Sequence, residues 1–96
     1  MVKEFLEGID QKNKTQMMAL INHIKEHGPP HNVFKFRSLG DEIYELKTRG
    51  GSRILCFWGR PQNSLVLTHG FSKCKRQRLR TEKRKALLWY KQYQIF

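Results

Sequence analysis

The sequence predicts an α+β fold, with N-terminal helices packed on a four-stranded antiparallel sheet and a C-terminal helix after it. Three observations carry this. Apolar residues before Gly28 recur at helical spacing, residues from Val33 onward alternate with a period of two between turn signals, and the segment Arg80 to Tyr93 is built from good helix formers. Ninety-six residues suffice for one hydrophobic core, so residues 1–96 are expected to form a single domain.

The first stretch reads as two helical pieces. Phe5, Leu6 and Ile9 give a short apolar face; Met17, Leu20, Ile21 and Ile24 recur at i, i+3, i+4 and i+7, behind a capping arrangement of Asn13 and Gln16. Gly28, Pro29 and Pro30 end the second piece, because glycine takes the left-handed C-cap conformation and proline cannot continue a helix.

Strand periodicity follows. Phe34 and Phe36 alternate with Lys35 and Arg37 before the turn residues Ser38 to Asp41; Tyr44 and Leu46 alternate with Ile43, Glu45, Lys47 and Arg49 before Gly50 and Gly51. Arg53 to Trp58 reads as a third strand, Gly59 to Ser64 as its loop, and Leu65 to His69 as a fourth. Short turns make this an antiparallel meander, with the helices on one face and Lys35, Arg37, Glu45, Lys47, Arg49 and Arg53 on an open opposite face. Phe34, Phe36, Leu46, Leu55, Phe57, Val66 and Leu67 are expected in the core. In the last segment, Ala86, Leu87, Tyr90 and Tyr93 fall near helical spacing.

Charge is the strongest functional signal. The net charge is +11, and residues 33–96 carry all of it, fifteen basic against four acidic side chains. Eight lysines and arginines crowd into Lys73 to Lys85, where Glu82 is the single acid. Solubility needs no such excess, so a polyanion is the expected partner, and nucleic acid leads because phosphate neutralisation by Lys and Arg supplies most non-specific affinity. No apolar stretch approaches the roughly 20 residues that span a bilayer, and no basic-then-apolar signal pattern opens the chain. A cytoplasmic protein without membrane attachment is expected.

Cysteines and histidines add little chemistry. Cys56 lies in an apolar run and reads as a small hydrophobe, Cys74 sits among cations, and the two make neither a metal motif nor a disulfide framework. His23, His27, His31 and His69 lack the spacing of a zinc site.

The helices, then "FKFRSLGDEIYELKTRGGSRILCFW", then "LVLTHGFSKCKRQ" and "TEKRKA", form an ordered set at characteristic spacing. Within it stand Leu39, Tyr44-Glu45-Leu46 followed by Lys47, the "SRIL" containing Arg53, and His69-Gly70-Phe71 followed by Lys73. This set resembles the RelE superfamily of toxins from bacterial and phage toxin–antitoxin pairs, and within it the HigB-like, phage-derived branch. Two departures are visible: Cys74 replaces a second lysine, and Arg78-Leu79 replaces a Thr-Pro ahead of the last helix.

The resemblance implies an endoribonuclease that cuts mRNA on translating ribosomes with no metal and no cofactor, and is neutralised by an antitoxin of helix-turn-helix type. The implied reaction is attack of a ribose 2′-OH on its adjacent phosphate. Such a reaction needs in-line geometry, stabilisation of phosphorane charge, and proton transfers. Arg53 is the first candidate for charge stabilisation, since a guanidinium grips two phosphate oxygens and stays charged; Lys73 and Lys47 follow. His69 has an intrinsic affinity for protons suited to acid–base work, and Tyr90 or Tyr93 suits base stacking or proton donation, although the spacing of both tyrosines fits core packing equally well. Lys35, Arg37, Arg49, Lys75, Arg76, Arg78 and Arg80 are expected to hold RNA phosphates. Two other readings stay open: a ParE-like toxin that poisons DNA gyrase on the same fold, and a non-catalytic nucleic-acid-binding protein.

Overall fold

A computed structural model describes residues 2–32, 34–59, 64–72 and 75–95. Val33, the loop residues Arg60 to Asn63, and the candidates Lys73 and Cys74 lie outside the described residues.

Two helices open the chain, α1 (Val2–Gly8) and α2 (Gln11–His27). The cap of α2 is Asp10, whose carboxylate accepts the Asn13 backbone N–H at 2.8 Å, so the helix starts ahead of the Asn13 arrangement expected from sequence. Asn13 and Gln16 serve the sheet instead. The Thr48 hydroxyl donates to Asn13 Oδ1 at 3.1 Å and the Gly50 N–H donates to Gln16 Oε1 at 3.4 Å. Gly28 ends α2 with φ of 81°, its N–H returning to the Ile24 carbonyl.

Four strands follow, β1 (Phe36–Gly40), β2 (Ile43–Lys47), β3 (Ser52–Trp58) and β4 (Leu65–Ser72), antiparallel in the order β1-β2-β3-β4. The first turn is tighter and later than expected. Ser38 to Gly40 stay in β1, and Asp41 and Glu42, with φ of 54° and 71°, make the two-residue connection that matches strand twist. At the second turn the Thr48 N–H bonds Ser52 O at 3.0 Å, and Gly51 supplies the left-handed residue at φ 88°. Beyond β4 comes α3 (Arg76–Ile95), which begins four residues before the Arg80 start read from sequence.

The sheet is covered on both faces. Met17, Leu20 and Ile24 of α2 pack on Phe36, Leu46, Ile54 and Cys56, with α1 alongside; Ala86 of α3 packs on Ile43, Leu55, Phe57 and Phe71. The expectation of an open second face is therefore wrong for most of its area. Its physical reason is legible in β3, where Ile54 to Phe57 are all buried because side chains pointing both ways meet a helix. Cys56 behaves as a buried hydrophobe, its thiol pushed up to about 12 by burial. Phe34, expected in the core, is 73% exposed, while Val66 and Leu67 are half-buried.

Glycine 70 shows how closely α1 sits on β4. A methyl group built there runs into the Phe5 ring, although the backbone itself is open to any residue. Gly70→Ala is expected to lower stability by about 1–3 kcal/mol through overpacking, read as a lower urea midpoint at unchanged slope. An unaltered midpoint would mean that α1 is not seated on β4.

Candidate nucleic-acid interface

Antiparallel register places Lys47 opposite Arg53, and Arg37 opposite Glu45, on the sheet face that α3 partly covers. Glu45 has no exposed surface, and a bare carboxylate there carries a desolvation penalty of several kcal/mol. Two arginines answer it. Arg37 Nε donates to Glu45 Oε1 and Arg53 Nη1 to Oε2, each at 2.8 Å. The carboxylate thereby fixes the Arg53 side chain, while the pair of guanidiniums leaves the cluster one positive charge in excess.

Arg53 is not saturated by this bond. Its Nε is buried and has no hydrogen-bond partner among the described residues. Native interiors rarely leave a donor in that state, so an acceptor from outside the chain, water or ligand, has a place there.

Arg53 also lines a groove of about 810 Å³, bounded by α2, the segment from Pro30 to Lys35, and the β2–β3 hairpin. Lys35, Lys47, Arg49 and Arg53 contribute cations, His23 an imidazole, Phe34 an aromatic face, and no carboxylate belongs to the described lining. The Lys47 ammonium stands 5.8 Å from the Phe34 ring centroid, within cation–π range. Arg53 has its counter-charge in Glu45, outside the groove lining, while no acid of the lining answers Lys35, Lys47 and Arg49, so the trough keeps an excess of positive charge of the kind that suits a polyanion.

A second ionic cluster ties α3 to β4. His69 Nε2 lies 2.7 Å from Glu82 Oε2, and His69 Nδ1 lies 3.1 Å from the Thr68 hydroxyl. That hydroxyl donates to the Leu55 carbonyl at 2.9 Å, which leaves its oxygen lone pairs facing His69 Nδ1. Burial raises the Glu82 carboxyl pKa, but the His69 bond and the charges of Lys85 and His69 outweigh it and hold the group below its ordinary value of 4.5.

The sequence profile of the family described as "Phage derived protein Gp49-like (DUF891)" matches residues 4–91. The chain belongs to that family. No curated protein matches it. Among solved structures it is similar to the isolated E. coli RelE toxin, with a TM-score of 0.57 and 16% identity over 90% of this chain and 89% of that one. At that identity the likeness speaks for the fold, and this Gp49-like protein has the RelE architecture of helices, four-stranded antiparallel sheet and C-terminal helix.

The residues singled out from sequence divide into three groups in this Gp49-like protein. Lys35, Lys47, Arg49 and Arg53 come together in the groove, and Arg37 joins them through Glu45. Lys75, Arg76, Arg78 and Arg80 are exposed around the start of α3, beyond the β4 end that pairs Ser72 with Ser52 beside Arg53. His69 and Tyr90 lie elsewhere. His69 is held by Glu82, and Tyr90 sits edge-on to Phe57 at 5.1 Å, four strand residues or about 13 Å along β3 from Arg53.

Three contributors escaped the sequence reading. Glu45 was placed on an open face, Phe34 in the core, and Glu82 was noted only as the single acid in a basic run. A signal existed for Glu45, the lone acid among the strand cations of its face. Lys83, one of the cations of the Lys73 to Lys85 run, bonds Asp41 at 2.9 Å and ties α3 to the first turn.

Two predictions follow from these clusters. Glu45→Ala, which strands Arg53 beside a half-exposed Arg37, is expected to lower stability by about 3 kcal/mol or more, measured by chemical denaturation. For Glu82, the folded group binds its proton less readily than the unfolded one. Its contribution is therefore complete above the ordinary carboxylate range and is lost as pH falls through its depressed folded pKa. Glu82→Gln is expected to flatten the acid limb of a stability–pH profile; an unchanged limb would show that the His69 pair does not titrate with folding.

Proposed function

We propose that this protein is the toxin of a toxin–antitoxin pair, of the HigB-like branch, and acts over residues 1–96 as one domain that cleaves mRNA on the ribosome. The observation that carries this reading is Arg53: a guanidinium fixed by a fully buried carboxylate, short of one acceptor, and set in a groove of cations. A purely structural ion pair has no need to line an open, positively charged groove. Membership in the Gp49-like family and the RelE architecture support the same reading.

In the proposed reaction a ribose 2′-oxygen attacks the adjacent phosphorus, the bond to the 5′-oxygen breaks, and a 2′,3′-cyclic phosphate and a 5′-OH result. Arg53 bears the charge that accumulates on the non-bridging oxygens, and a fixed donor does so without reorganising at the moment of reaction. Lys47 and Lys73 complete the charge. His69 moves a proton in this scheme only after leaving Glu82, and Tyr90 contributes only after leaving Phe57. Lys75, Arg76, Arg78 and Arg80 hold ribosomal RNA. The first turn of α3 contains no acid, so these cations add to the positive end of the helix dipole and raise the potential that draws phosphate in.

A site this spare relies on the ribosome to set the in-line geometry, an entropic contribution that positioned substrates commonly receive. An antitoxin that covers the groove would remove access to Arg53 and silence the protein. The protein works in the cytoplasm, where ribosomes are; no described helix is long and apolar enough to cross a membrane.

The test is 5′-end mapping of mRNA in a purified translation system, with ribosomes present or absent. Cuts are expected only with ribosomes, and Arg53→Gln is expected to slow cleavage by about 10²–10³-fold, the scale for loss of one transition-state donor. Arg53→Gln binding RNA and ribosomes more weakly in proportion to its lost cleavage would mark a phosphate-binding residue. No cuts by the native protein under either condition would sink the nuclease reading and favour a gyrase poison or a binding protein.

A further inference from the structure

We propose that Phe34 is a nucleobase platform, so that the groove takes single-stranded RNA with one base stacked on Phe34 and the neighbouring phosphates on Lys47 and Arg53. The proposal rests on the RNA reading above and adds to it a recognition subsite on a different segment of the chain.

The starting point is an anomaly of burial. Phe34 is 73% exposed in a chain that buries Phe36 and Phe57 almost completely. A frayed loop would explain this without function, but the backbone is held. Asn32 Oδ1 accepts the Phe34 N–H at 2.9 Å, and the Asn32 carbonyl accepts the N–H groups of Lys35 at 2.9 Å and Phe36 at 3.0 Å. Asn32 thus builds a side-chain-to-backbone turn that presents Phe34 outward just before β1 begins.

The surroundings fit a base better than an apolar partner. Lys47 stands by the ring, Lys35, Arg49 and Arg53 line the same groove, and no described lining residue is acidic. A hydrophobic protein segment would have to desolvate these cations without answering their charge. A single strand of RNA answers both requirements at once, since each nucleotide couples a π-face to a phosphate and every base has such a face. The cation already near the ring strengthens the match, because Lys47 can reach a phosphate while remaining beside the aromatic.

The experiment measures binding of the full-length protein to a labelled oligouridine by fluorescence anisotropy at low salt, without ribosomes. Phe34→Leu keeps an apolar side chain but removes the π-face, and its melting temperature is expected to match the native one because Phe34 carries little core. It is expected to weaken binding about tenfold, within the range for loss of one stacked base. Phe34→Trp is expected to bind at least as tightly as the native protein, and Lys47→Ala to weaken binding with a shallower salt dependence. An oligomer of the same length made of abasic sugar-phosphate, and an oligoglutamate of similar charge, are expected to bind the native protein and Phe34→Leu alike.

The outcomes separate the two readings. If Lys47→Ala weakens binding of oligouridine and Phe34→Leu does not, the platform is overturned and the RNA groove stands. If neither substitution matters, RNA does not lie in this groove and both readings fall. A Phe34→Leu loss of equal size on the abasic oligomer or on oligoglutamate would also overturn the platform, because those ligands have nothing to stack.

Discussion

Everything at the functional end of the molecule depends on one buried carboxylate. Glu45 has lost all contact with water, and only the two guanidiniums at 2.8 Å make its charge tolerable there. The dependence runs in both directions: the carboxylate needs Arg53, and Arg53 owes its fixed position to the carboxylate. Strand register is bound up with the same contact. A slip of one residue in β2 would turn Glu45 toward α2 and bury it among Met17, Leu20 and Ile54, whose side chains offer no hydrogen bond. The fold and the candidate site are therefore specified by a single constraint, not by two independent ones.

The same economy governs the charge of the whole chain. Residues 33–96 contain four acids, and of these only Glu45, through Arg53, answers a cation of the groove. Asp41 and Glu42 occupy the β1–β2 turn at the opposite end of the sheet, where Asp41 pairs with Lys83. Glu45 and Glu82 are buried, each consumed by its own basic partners. Cations, by contrast, gather at the end where Lys47, Arg53 and Ser72 meet across the sheet and where α3 begins. A large excess in composition becomes a concentrated field because topology sorts the signs by end.

How much of this could be read beforehand follows from the kind of signal each residue carries. Helix and strand identity were legible because apolar periodicity is local: Met17 to Ile24 and Tyr44 to Leu46 announce their elements without reference to anything distant. The cap of α2 was misplaced because Asp10 and Asn13 are both good capping residues, and only the position of Thr48 decides that Asn13 turns toward the sheet. The second covered face was missed by treating β3 as alternating, when Ile54 to Phe57 form the continuous apolar run of a strand buried on both sides. Lys47 and Arg53 stand out in the sequence as separate candidates for phosphorane charge, through the family resemblance. Glu45 does not stand out as the anchor of Arg53 and Arg37, because burial of a charge depends on long-range packing and no local pattern encodes it. Phe34 reads as core on hydrophobicity alone; the Asn32 turn that presents it outward is local, held by a side-chain hydrogen bond that alternating hydrophobicity does not reveal.

The arrangement also explains which chemistry the groove can supply by itself. Among the described residues, the side chains best suited to proton transfer on the sheet and α3 are engaged: His69 bonds Glu82 and Thr68, and Tyr90 packs against Phe57. His23, on α2, is the groove's own imidazole, and its ring also lies 5.1 Å from that of His27. What the groove has in abundance is fixed positive charge and one exposed aromatic. Such a site favours an anionic transition state through electrostatics, a contribution that does not require a proton carrier to be preorganised. In the proposed reaction it leaves the alignment of the attacking oxygen to whatever holds the rest of the RNA. Under that proposal a small basic fold gains most from a large external scaffold, and the exposed cations leading into α3 are the residues suited to dock on one.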